Sequence, residues 1–132
     1  MKVVTADVAV VGGGNSAVAD ALLLSRIAKK VHLIHRRDSL RASRVYHKPL
    51  MEAENVEFCW NHRVQEFNSG KITVQDVNSG AIREILCDGV FVGIGRQPAT
   101  GLVKGSVELD EQGYIRAGEA TETSVPGVYA VG

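Results

Sequence analysis

Three consecutive glycines constrain this chain more than any other feature. Gly12, Gly13 and Gly14 directly follow the apolar run Asp7–Val11 (DVAVV) and directly precede residues 15–28 (NSAVADALLLSRIA), which are rich in Ala and Leu and free of Gly and Pro. A short apolar run entering a tight turn reads as a buried strand. The segment after the turn reads as a helix, with Val18, Leu22 and Ile27 near one face. Residues 31–35 (VHLIH) supply a second β-rich run. Strand, turn, helix and strand within about 30 residues is the size of a βαβ unit, a parallel pair with a right-handed crossover.

Beyond this unit the signals change. Residues 43–53 have helical character, but Pro49 lacks a backbone donor and clashes with a preceding turn, so a helix there must kink or begin late. Val56–Trp60 reads as a third strand. Residues 63–67, 72–77 and 82–87 are short β-rich segments punctuated by Asn68-Ser69-Gly70 and Asn78-Ser79-Gly80, the pattern of a β-meander. Residues 89–94 (GVFVGI) form another apolar run leading into a glycine, as expected of a buried strand whose end faces a ligand crevice.

The glycine cluster carries chemistry as well as geometry. Gly12, Gly14 and Ala17 occupy the three diagnostic positions of GxGxxA. The first glycine permits the sharp turn, the second lets the backbone approach a pyrophosphate, and a small third residue lets helix and strand pack closely. The helix then points free N–H groups and its positive dipole end at the phosphates. Dinucleotide sites for NAD or for the adenosine of FAD place an acid about 20 residues beyond the loop, against the ribose hydroxyls, whereas NADP sites place Arg there. Here the second strand ends in His35-Arg36-Arg37, and Arg41 follows four residues on, so three guanidiniums can converge on one 2′-phosphate. Asp38, the one acid nearby, comes after both arginines. The residues therefore point to NADPH.

Composition narrows the alternatives. With 132 residues, 45% of them hydrophobic, the chain suits one domain with its own core, so 1–132 is expected to form a single domain. Fifteen basic and fifteen acidic side chains balance, which gives no general reason for a nucleic acid or an anionic membrane as partner. The balance is local rather than uniform: residues 29–48 carry seven Lys and Arg against Asp38 alone. No apolar run reaches the ~20 residues a bilayer span needs, and Asp7 interrupts any leader, so a soluble cytoplasmic protein is expected. Cys59 and Cys87 form neither a CxxC nor a zinc-ligand cluster with histidines and are expected to be buried, reduced thiols.

Residues 8–42, with GGGNSA and HRRxxxRA as paired signatures, resemble the NADPH domain of thioredoxin reductases. The resemblance continues at residues 91–98 (FVGIGRQP) and 113–115 (GYI), and through residues 123–132 (TSVPGVYAVG), covering nearly the whole chain. It implies an α/β fold, a Rossmann-type parallel sheet with helices on one face and an antiparallel β-meander on the other. It assigns Gly12, Gly13, Gly14, Asn15, Ser16 and Ala17 to the pyrophosphate turn, with Ser16 and the loop N–H groups making the contacts. His35, Arg36, Arg37 and Arg41 fall on the 2′-phosphate side, and Ile94, Gly95 and Tyr114 on further parts of the cofactor site. It implies no catalytic side chain and no metal within the chain. A CxxC before the first strand and an FAD-contacting Gly-Asp at the end, both usual in the family, are not in the sequence, and neither is a second GxGxxG. The expectation is a fragment, inactive alone, of a flavoenzyme whose other segments bind FAD and pass electrons from NADPH to a disulfide partner such as thioredoxin. Alternatives are a domain of a CxxC-less flavin reductase of the ferredoxin-NADP type, and a non-catalytic NADP(H)-sensing module.

Overall fold

The computed structural model describes residues 4–132 and divides after Gly95 into two compact units. In the first unit the elements run β1 (Asp7–Val11), α1 (Asn15–Ser25), β2 (Lys30–His35), a 3-10 turn (Arg44–Tyr46), α2 (His47–Met51), β3 (Val56–Trp60), β4 (His62–Asn68), β5 (Lys71–Asp76), β6 (Ile82–Leu86) and β7 (Gly89–Val92). Strands β3, β2, β1 and β7, in that order, form a wholly parallel sheet, and β4, β5 and β6 form a separate antiparallel meander. The Rossmann-type arrangement with its meander is thus present as expected.

Strand alternation sends successive side chains to opposite faces, and here it divides the core in two. Val8, Val10, Val31 and Leu33 pack with Ala17, Val18, Ala21 and Leu24 of α1 and Leu50 of α2. Their neighbours Ala9, Ile34 and Cys59 face the other way and meet Ile72, Val74 and Ile85 of the meander. Because both faces are covered, β1 reads as an apolar run after Asp7, and β2 is buried from Val31 to His35 although two of its residues are histidines.

Two elements differ from expectation. The α1 helix ends at Ser25 rather than at residue 28, and its buried face is Ala17, Val18, Ala21 and Leu24, with Leu22 and Ile27 only partly covered. Small residues occupy the centre of that face because the helix lies close to the sheet. In residues 43–53 the helix begins late: a 3-10 turn comes first, and Pro49 is the third residue of the five-residue α2. First-turn N–H groups have no intrahelical acceptor, so a missing donor there is tolerated. Cys59 is buried in β3, and Cys87 is buried just past the end of β6.

The second unit, Arg96–Gly132, holds a 3-10 turn at Gly101–Val103 and isolated bridges pairing Leu109 with Ile115 and Glu122 with Tyr129. The Asp110 carboxylate accepts hydrogen bonds from the backbone N–H groups of Gln112 and Tyr114, closing the turn that carries Tyr114. No helix among the described residues is long and apolar enough to cross a membrane.

Candidate nucleotide site

In a parallel α/β sheet the crevice for a ligand lies beyond the carboxyl ends of the strands. In the first unit a cleft of about 660 Å³ opens there, at the ends of β1, β2 and β7, and its size suits a cofactor-sized ligand. Gly12 forms its floor. At φ +138° it adopts backbone that L side chains rarely take, and an added Cβ would run into the Gly93 carbonyl and the Ala17 side chain. The Gly93 N–H donates to the Val11 carbonyl at 2.8 Å, which ties the end of β7 to the loop. Gly13 lies against the His35 ring, where no side chain could fit.

Gly14 differs in kind. It is the residue before the first turn of α1, in ordinary extended backbone (φ −88°, ψ −179°), and an added Cβ would meet nothing within 4 Å. Nothing in the fold requires glycine there, so the open space belongs to the cleft. No side chain caps α1, and the N–H groups of its first turn are left for another acceptor. A phosphate at this helix start would find donors and a favourable dipole together.

The arginine segment is fastened to the loop by three bonds. The N–H groups of Arg41 and Ala42 donate to the Gly13 carbonyl at 2.8 and 3.0 Å, and Ser43 N–H donates to Asn15 Oδ1 at 2.7 Å. Glycine turn and basic segment are therefore one construction. Arg36 and Arg41 are exposed and line the cleft. His35 is buried beneath them, its ring edge-on to Trp60 at 6.3 Å, and its Nε2 has no hydrogen-bond partner among the described residues. Burial holds its pKa below the ordinary imidazole value, opposed by a backbone hydrogen bond with Ser39 and assisted by the cations of Arg37, Arg36 and Arg41. A neutral imidazole with an unpaired nitrogen is the result.

Of the residues expected from sequence, Gly12, Gly13, Gly14, Asn15, Ser16, His35, Arg36, Arg41, Ile94 and Gly95 line this cleft. Ala17 is fully buried beneath the loop, as its packing role requires. Arg37 is exposed, in the bend beyond the end of β2, and does not line the cleft. Tyr114 belongs to the second unit, where it is 44% exposed. The sequence reading missed the opposite wall, supplied by His62, Arg63, Val64 and Phe67 of β4. Arg63 is held in place there by Gln75 Oε1, which accepts from Nη2 at 2.9 Å and from Nε at 3.2 Å. A wall from a separate sheet leaves no local motif, and the alternation of HRVQEFN indicates only a strand.

Comparison with known proteins adds an independent line. The family model described as pyridine nucleotide-disulphide oxidoreductase matches residues 1–132. A thioredoxin reductase of Escherichia coli O157:H7 is 44% identical over 139 residues, covering 95% of this chain and 43% of that protein. One from Streptomyces clavuligerus is 39% identical over 131 residues, covering 96% of the chain and 41% of the relative. Among solved structures, Lactococcus lactis thioredoxin reductase in its FR conformation superposes with a TM-score of 0.88 at 30% identity, covering 98% of the chain and 45% of that structure. Thioredoxin reductase of T. acidophilum gives 0.85 at 32% identity, covering 96% and 43%. The chain spans about two fifths of the length of the curated relatives it matches.

Proposed function

The chain belongs to the pyridine nucleotide-disulphide oxidoreductase family, and on that premise we propose that residues 1–132 are its single NADPH-binding domain rather than a flavin-binding one. One observation carries the proposal: the uncapped start of α1 and the guanidiniums of Arg36 and Arg41 open onto one cleft, with no acid closing the end of β2. An acid at that place suits ribose hydroxyls, and arginines suit a 2′-phosphate.

The residues fit such a cofactor. The N–H groups beyond Gly14, with the Ser16 hydroxyl, would donate to the pyrophosphate, and Arg36 and Arg41 would pair with the 2′-phosphate through charge-assisted bonds. His35, kept neutral, adds no charge but braces Gly13 from below. Ile94 and Gly95, just past β7, take further parts of the cofactor. NADPH, when bound, supplies the hydride from its nicotinamide, and the chain's own residues bind, orient and select. In the whole protein, which we take to be cytoplasmic and to carry FAD-binding segments beyond this chain, electrons would pass to FAD and on to a disulfide partner such as thioredoxin. The naming of the relatives as thioredoxin reductases supports that direction.

Titration calorimetry comparing NADPH with NADH tests the proposal. Binding of NADPH at least tenfold tighter, about 1.4 kcal/mol, is expected from the arginines. Equal affinity, or no binding of either, would overturn it.

A further inference from the structure

The opposite end of the parallel sheet holds a second polar cluster, unrelated to the nucleotide cleft. Asp7, Lys30, His32 and Glu57 all project on the meander side and, with Arg83 of β6, line a separate cavity of about 290 Å³. His32 and Glu57 stand directly opposite in the β2–β3 register, and Cys59 follows on the same face of β3. The imidazole, the Glu57 carboxylate and Cys59 Sγ offer ligand atoms that all lie within 4.8 Å of one another. His32 is 7% exposed, yet its Nδ1 has no hydrogen-bond partner among the described residues. Asp7 Oδ1, also walled off from solvent, has none either. A buried polar atom left unpaired is unfavourable, and two facing one cavity indicate a missing partner there.

We propose that His32 Nδ1, the Glu57 carboxylate and Cys59 Sγ form a site for a thiophilic divalent cation, Zn²⁺ by its ligand chemistry, with the fourth position left to water or Asp7. The donor set of imidazole, thiolate and carboxylate suits zinc and disfavours magnesium and calcium, which take oxygen alone. Tetrahedral zinc, with bonds of about 2.0 to 2.3 Å, holds its ligand atoms about 3.5 Å apart, so the cluster closes by about 1 Å on binding. The Glu57 side chain, 43% exposed, has the freedom to supply that movement.

Two cations now occupy the ligands and must yield. Lys30 Nζ lies 2.5 Å from Glu57 Oε2, and the Arg83 guanidinium donates to Cys59 Sγ at 3.1 Å. Both side chains reach solvent, where they can turn when the ion arrives. Binding breaks the Sγ–H bond, releases its proton to solvent and forms a metal–thiolate bond, so the carboxylate and thiolate together cancel the charge of the ion.

Titration of the 132-residue chain with Co²⁺ under reducing conditions reads the site through the sulfur-to-cobalt charge-transfer band in the near ultraviolet. The band is expected to appear, to be displaced by Zn²⁺, to vanish in Cys59→Ser and to persist in Cys87→Ser. Glu57→Gln, at a partly exposed side chain that the fold tolerates losing, should weaken Co²⁺ binding at least about tenfold. Absence of the band, its survival in Cys59→Ser, its loss in Cys87→Ser, or unchanged affinity in Glu57→Gln would each overturn the assignment.

Discussion

Replacing Gly14 with valine should leave the fold standing and remove affinity for both nicotinamide cofactors alike. The backbone at Gly14 is extended and a Cβ there meets nothing within 4 Å, so neither strain nor a clash follows. A poorer residue before the helix start costs a few tenths to about 1 kcal/mol, offset by about 0.4–1 kcal/mol of lost freedom in the unfolded chain. The net change in stability is within about 1 kcal/mol. In the cleft, however, the isopropyl group stands where a pyrophosphate must approach the N–H groups of α1. Losing two hydrogen bonds to a charged group, at about 1.5–3 kcal/mol each, removes about 3–6 kcal/mol, roughly a hundredfold to ten-thousandfold in affinity. Because the pyrophosphate is common to both cofactors, NADPH and NADH should weaken by the same factor. Gly12→Ala is the contrasting variant. Its φ of +138° and the crowding by Gly93 and Ala17 predict about 1–3 kcal/mol of backbone strain and a similar overpacking penalty, a large part of the total stability of a domain. Urea midpoints and titration calorimetry on the two variants separate the effects. A Gly14→Val protein that binds both cofactors as the parent does would refute the assignment of this loop to phosphate.

Arg36→Ala and Arg41→Ala should each weaken NADPH about tenfold and leave NADH nearly unchanged, with salt eroding the discrimination in the parent, and equal losses for both cofactors would exclude a 2′-phosphate role. Asn15→Ala removes the acceptor of Ser43 N–H and loosens the Arg41 segment, so NADPH affinity should fall several-fold with a stability loss of about 0.5–1.5 kcal/mol. Stability should also decline as pH falls below about 6.5, the ordinary histidine value, because burial lowers the pKa of both His32 and His35. The unfolded chain then binds protons that the folded chain refuses, so the contribution is full above 6.5 and shrinks as pH falls toward the folded values. Urea midpoints at pH 7 and 5 should converge in the double variant His32→Gln, His35→Gln.

The sheet and the glycine turn were legible because their signals are local. An apolar run, three glycines and an uninterrupted helix former stand side by side, and the arginines follow at the end of the next strand. The face of α1 was less legible, since its buried positions include the small Ala17 and Ala21, which hydrophobic bulk does not single out, while Leu22 packs only partly buried beside them. The β4 wall was invisible because its contribution depends on how the meander folds over the sheet. His32 was hidden in a run that reads as apolar, and only the register shows that it meets Glu57 and Cys59. Asn15 matched a motif position, but its bond to Ser43 required the three-dimensional arrangement.

The late arrival of β7 has a consequence for how the molecule assembles. β1 pairs with β2 across 23 residues of chain (31 − 8) but with β7 across 81 (89 − 8), so the second closure costs about 1 kcal/mol more in loop entropy if it forms unaided. Formation of the intervening meander shortens that loop and so favours the docking of β7. Gly93, immediately beyond it, backs Gly12 and Ala17. The glycine turn near the start of the chain is therefore completed by a residue 81 positions further on (93 − 12), so its shape depends on the docking of β7 as well as on the local sequence.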